Sequence, residues 1–151
     1  MSKEQLRQLI TETLNEIGLL SNGAIDLLMG TAAQESRLGY YIKQVGKGPA
    51  LGIMQMEPGT FRHHVKWLKS RGDDLQYKIL GACNMVAFEE DSLRFNIKFS
   101  IAMARVHYYR RPESLPSNLK GMAEYWKKYY NTYLGAGTVE EFIDNYKKYV
   151  L

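Results

Sequence analysis

The sequence predicts a mainly α protein folded as a single domain. Apolar residues recur at three- and four-residue spacing in seven separate segments, the signature of helices with one buried face. The breaks between segments carry helix starters such as Ser2, Asn118 and Thr138 and helix stoppers such as Gly18, Gly72 and Pro112. No stretch alternates in the way a paired strand would. At 151 residues the chain fits one domain, 1–151. A chain of that length buries roughly 68–70% of its unfolded surface, and 45% hydrophobic with 24% charged residues is an ordinary globular balance.

Each element follows from local signals. Ser2 with Gln5 reads as a capping box, and Leu6, Leu9, Ile10, Leu14 and Ile17 continue the helical period to Gly18. A second helix opens near Ser21 or Asn22, buries Ile25, Leu28, Met29 and Ala32, and runs to Glu35 or Ser36. Residues 37–51 are irregular. Gly39, Gly46, Gly48, Pro49 and Gly52 make a Gly-rich loop with room for at most a short hairpin. Pro58 suits a first helical position, and Phe61, Val65 and Leu68 mark a third helix closed near Gly72.

Asp73 or Asp74 caps a fourth helix through Tyr77, Ile79 and Leu80. Glu89, Glu90 and Asp91 precede a long helix from Ser92 to about Tyr109, expected to be the central buried one. Pro112 and Pro116 interrupt the chain. Ser117 or Asn118 opens a sixth helix through Trp126, broken by Gly135-Ala-Gly, and Thr138 caps the last one.

Composition narrows function. The net charge of +4 and pI near 9.1 favour polyanionic partners, but the basic residues are dispersed, so no nucleic-acid arm is expected. Met1 to Arg7 reads as an amphipathic helix with no secretory apolar core behind it. No run reaches the ~18 apolar residues of a membrane span. The expectation is synthesis in a cytoplasm without a signal peptide. Cys83 sits in an apolar run and reads as a core residue rather than a nucleophile. His63 and His64 are adjacent, a poor metal spacing on a helix, and read as surface or cleft-edge residues.

Chemistry concentrates between Gly30 and Thr60. Glu35 falls in the last turn of the second helix, where the backbone dipole and apolar neighbours both raise a carboxyl pKa, as a general acid requires. The glycine-led segment Gly52-Ile-Met-Gln follows on the far side of the loop. A carboxylic acid at a helix end facing such a loop suits a cleft enzyme.

Four landmarks come in order: Glu35-Ser36; Gly52-Ile-Met-Gln with Pro58-Gly-Thr; Asp91-Ser-Leu-Arg-Phe-Asn-Ile; and Ala123-Glu-Tyr125. Together they resemble the lysozyme-like domain of soluble lytic transglycosylases and goose-type lysozymes, in its compact phage or prophage form. The resemblance covers about residues 22–130. Two positions depart from the family pattern: Trp126 stands where the family has Asn, and Glu57 where it has an apolar residue.

The resemblance implies a lysozyme-like fold and cleavage of the β-1,4 bond between N-acetylmuramic acid and N-acetylglucosamine in peptidoglycan glycan strands. Glu35 would be the catalytic acid. Ser36 would orient it or touch substrate, Met54 and Gln55 would line the cleft, and Tyr125 would hydrogen-bond near the Glu35 carboxyl. Tyr40, Tyr41, Tyr130 and Asn131 are further cleft candidates. A glycosidase with two carboxylates needs its second acid ~5–5.5 Å away as nucleophile or ~6.5–9.5 Å away as base. Glu57 is the near candidate, and it also suits the start of a helix.

With Glu35 alone, the family's transglycosylase route remains, giving 1,6-anhydro ends. Simple hydrolysis by a muramidase, or a non-catalytic virion or wall-binding role, are the alternatives. No cofactor and no metal are expected, and the chain is expected to be a monomer. It would reach the wall after release from the cell or delivery by a virion.

Overall fold

The computed structural model describes residues 1–46, 48–131 and 135–151. Lys47, within the stretch between Gly30 and Thr60 read above, and residues 132–134 lie outside the described residues. The protein is mainly helical: α1 Lys3–Glu16, α2 Asn22–Ser36, α3 Pro58–Ser70, α4 Leu75–Ala82, α5 Ser92–Phe95, α6 Ile97–Tyr109, α7 Leu119–Trp126 and α8 Val139–Tyr149. A π-helical turn, Lys127–Asn131, continues α7. Among the described residues the only sheet-like pairings are two isolated bridges, Lys43 to Leu51 and Leu51 to Met56.

Most starts are set by side-chain caps. Ser2, Ser21, Asn118 and Thr138 each accept a backbone N–H from the first turn they open. Asp73, two residues before α4, accepts from Leu75 N at 3.3 Å. The acidic run before α5 does not cap it; Asp91 pairs with Arg94 instead.

The expected long helix from Ser92 to Tyr109 is two helices. Asn96 leaves helical geometry (φ −93°, ψ 99°), accepts from Phe99 N at 3.1 Å and donates to the Cys83 carbonyl at 3.0 Å. A short polar side chain that can cap a helix competes with its continuation, and here the cap wins because it also ties the chain to the end of α4.

The core is centred on α6, which packs against α1, α2, α3 and α4. Every residue from Phe99 to Tyr108 is buried, as expected of a helix surrounded on all sides. Helix α2 also packs against α8, its most extensive neighbour. Gly30 makes that approach possible: a Cβ there would run into the Phe142 ring.

Gly52 does the same for the cleft loop. Its φ of +81° is left-handed, and a Cβ would meet the Leu93 carbonyl and Ser100 Oγ. The loop therefore lies directly on the α5–α6 junction. Cys83 is buried in the core, as the sequence predicts, and burial pushes its thiol up to about 12, which keeps it protonated.

Candidate active site

The C-terminal end of α2 faces a cleft of about 870 Å³. Its other walls are the loop through Gln44 and Val45, the segment Gln55–Glu57, the π turn at Tyr130–Asn131, and the start of α8. Glu35 lines this cleft and is partly buried. Burial raises its carboxyl from the ordinary carboxylate range to about 7, and a hydrogen bond from Trp126 pulls the other way. Trp126 Nε1 donates to Glu35 Oε1 at 3.0 Å. An acid with that pKa carries a proton about half the time at neutral pH, so it can both give one up and take one back.

The backbone just after Glu35 is held in an unusual shape. Arg37 (φ 51°) and Leu38 (φ 57°) are both left-handed, although neither is glycine. The turn is fixed by Arg37 N to the Ala33 carbonyl and Leu38 N to the Ala32 carbonyl, which satisfy the last turn of α2. Gln55 is also left-handed (φ 49°), across the cleft. Strained backbone of this kind persists where its surroundings over-determine it, and it gathers at functional sites.

Ser36 is the staple between these two walls. Its hydroxyl donates to the Ile53 carbonyl at 2.6 Å and accepts from Gly39 N at 2.8 Å. It is 1% exposed, so it positions the loop from behind and is not set to touch a ligand in the cleft. Met54, at 0%, is likewise core; its contribution is its carbonyl, which accepts from Tyr130 Oη at 2.6 Å. Gln55 does line the cleft, with Nε2 held by the Gly52 carbonyl at 2.9 Å.

Tyr125 is not beside the acid. Its hydroxyl donates to the Glu113 carbonyl at 3.1 Å, and its ring faces Tyr108 and Tyr129. The expected tyrosine contact is replaced by the next residue, Trp126. The indole is fully buried against Phe142, an aromatic pair between α7 and α8 that fixes the ring and so aims Nε1.

The tyrosine and asparagine that do reach the cleft are Tyr130 and Asn131. The Tyr130 ring stacks on Tyr108 at 5.3 Å, and Tyr108 is anchored to Thr31 Oγ1 at 2.8 Å. Lys127 Nζ ties this end of the cleft together, donating to Asn131 Oδ1 and to the carbonyls of Gly135 and Gly137. Tyr130 and Asn131, named from the sequence as further cleft candidates, thus take the place on the cleft wall expected for Tyr125. Trp126 entered the sequence reading only as a departure, and no local pattern marks it as the partner of Glu35.

Of the other candidates, Tyr41 lines the cleft, with the Arg37 guanidinium over its ring at 5.6 Å. Tyr40 is exposed and packs edge-on against Tyr41. Glu57 also lines the cleft, exposed, and caps α3 with its backbone alone. His64 is not a surface residue: it is 2% exposed and hydrogen-bonds His107 at 2.8 Å. Among the described residues no group of three or more His, Cys, Asp or Glu side chains could hold a metal ion, and no helix is long and apolar enough to cross a membrane.

Fold and site together define a helical domain with a carboxylic acid of raised pKa in an open, polar and aromatic cleft. No protein-family model matches the chain, and neither the curated proteins nor the solved structures compared with it give a match. The family resemblance therefore rests on the motif residues themselves.

Proposed function

We propose that this protein cleaves the β-1,4 glycosidic bond of peptidoglycan with Glu35 as its acid, and that it does so as a lytic transglycosylase. The observation that carries the reading is Glu35: a carboxyl lifted to about 7, held by Trp126, and opening on a cleft of about 870 Å³. Cleavage begins with proton transfer from Glu35 to the glycosidic oxygen as the bond from C1 of the muramoyl sugar breaks. The substrate's acetamido group shields the developing positive charge at C1. The Glu35 carboxylate then removes the proton from the 6-hydroxyl, which attacks C1 and closes the 1,6-anhydro ring. A single carboxyl with a pKa near neutrality serves both proton transfers.

Hydrolysis is the second reading, and one observation favours it. Glu57 lines the same cleft, exposed, and its side chain accepts no hydrogen bond among the described residues. It is available to activate a water from across the cleft. The two outcomes separate in one experiment: digestion of purified peptidoglycan by wild type, Glu35→Gln and Glu57→Gln, with mass spectrometry of the released fragments. Anhydro-ended muropeptides from wild type and from Glu57→Gln, with none from Glu35→Gln, are the expected result. Reducing ends that vanish with Glu57→Gln would make the enzyme a muramidase. Equal release by wild type and Glu35→Gln would remove Glu35 from the chemistry.

A further inference from the structure

Beside the cleft, α3 and the end of α6 line a second, shallower pocket of about 320 Å³. Thr60, His63 and His64 come from α3; His107, Arg110 and Arg111 come from α6 and the turn after it. No Asp or Glu lines it. Among the described residues neither Arg110 nor Arg111 forms an ion pair, while the neighbouring acid Glu113 is paired with Lys128 and Glu90 with Arg62. Two adjacent guanidiniums thus face an open surface pocket with no carboxylate in its lining.

The cavity is also pre-organised. The Tyr129 carbonyl can only accept, so His107 Nε2 donates to it (2.6 Å). His107 Nδ1 must then accept from His64 Nε2 (2.8 Å), and His64 Nδ1 accepts from Arg110 Nη1 (3.0 Å). One consistent chain of donors therefore runs from Arg110 to the backbone and fixes both imidazole tautomers. Arg110 also lies over the Trp67 ring at 4.9 Å, and Arg111 Nε is held by the His107 carbonyl at 3.2 Å. Each guanidinium uses one N–H in these bonds and keeps the rest of its fork for a ligand.

The start of α3 brings Gly59 and Thr60, in its first turn, into the lining of the pocket, while the Glu57 carboxylate at the same terminus lies on the large cleft. A preference of helix C-termini for cations accounts for a solvated arginine at the end of α6. It does not account for two arginines converging with Thr60 and His63 around a cavity.

We infer that this cavity is an oxyanion-binding site that takes a carboxylate or a phosphate group in the fork of Arg110 and Arg111. Thr60 and His107 line both this cavity and the large cleft, so the bound group can belong to a molecule lying in the cleft. Two sources carry this chemistry: the terminal carboxylate of a peptide and the phosphate of an anionic polymer. The inference stands on the arginine pair and does not depend on the role of Glu35.

The test is an NMR titration of the full chain with inorganic phosphate and, separately, with acetate, following the imidazole signals of His63, His64 and His107. Saturable shifts of these signals, with backbone amides far from the pocket unmoved, are expected. Binding should weaken about tenfold or more in Arg110→Gln/Arg111→Gln, because charge-assisted forked bonds are lost. Arg111→Gln alone leaves the Arg110–His64–His107 chain intact and guards against a misfolded double variant; it should weaken binding too. Tighter phosphate binding assigns the phosphate source, and tighter acetate binding the carboxylate source. No saturable shift in wild type, or an unchanged affinity in folded Arg111→Gln, overturns the site. Glu35→Gln should bind the anion as wild type does, so a failure of peptidoglycan cleavage leaves this result readable.

Discussion

At the scale of single residues, the property that matters is the proton on Glu35, and two neighbours set it in opposite directions. Desolvation favours the neutral acid, and the Trp126 N–H favours the carboxylate. Because the indole bond lowers the pKa, removing it should raise it. Trp126→Phe keeps an aromatic ring against Phe142 and deletes the donor together with part of the indole's bulk. The alkaline limb of the pH–rate profile, where Glu35 loses its proton, should then move up by about one unit, in line with one hydrogen bond to a charged group. A profile unmoved by Trp126→Phe would mean that the 3.0 Å contact does not tune the acid.

At the scale of elements, the caps and breaks show what a sequence can and cannot disclose. The caps at Ser2, Asn118 and Thr138 were readable because each requires only a side chain and the turn that follows it. The division of α5 from α6 was not, because the apolar period runs through Asn96 and the deciding partner, the Cys83 carbonyl, is thirteen residues away. The site divides the same way. Glu35 and Gln55 were legible from a helix end and a Gly-led loop, and both reach the cleft. Trp126 in place of Tyr125 was not, because a one-residue choice of face depends on how α7 packs on α8. Asn96→Ala tests the break directly. It removes the cap and leaves the Cys83 carbonyl without its donor, so a loss of about 1–3 kcal/mol in urea unfolding is expected. A cost near zero would mean that the junction is set by packing, with the cap incidental.

At the scale of the whole molecule, buried titratable groups make stability depend on pH with opposing signs. His64 is lowered to about 3 by desolvation first and then by repulsion from its cationic neighbours, and His107 to about 4 by desolvation first. Both must stay neutral to fold. Their contribution is complete above the unfolded value of about 6.5 and is lost as pH falls to about 4 for His107 and about 3 for His64. Glu35 runs the other way. Its folded pKa is raised, so the folded state holds the proton more tightly than the unfolded chain. Its contribution is complete below about 4.5 and is lost as pH rises to about 7. The exposed pairs of Asp73 with Arg71 and Asp91 with Arg94 add little in either range.

Two histidines outweigh one glutamate below pH 6.5, so wild type should lose stability on acidification through that range and change little above pH 7. Glu35→Gln isolates the opposing contribution. Its amide can still accept from Trp126 Nε1 but has no proton to lose, so the ionisation cost disappears. The variant should match wild type near pH 4 and exceed it at pH 8, by at most about 3 kcal/mol for a shift of this size. Urea unfolding at pH 4, 6 and 8 reads the difference. A gap that is the same at all three pH values would come from packing alone, and would mean that the Glu35 carboxyl ionises in the fold as easily as it does in the open chain.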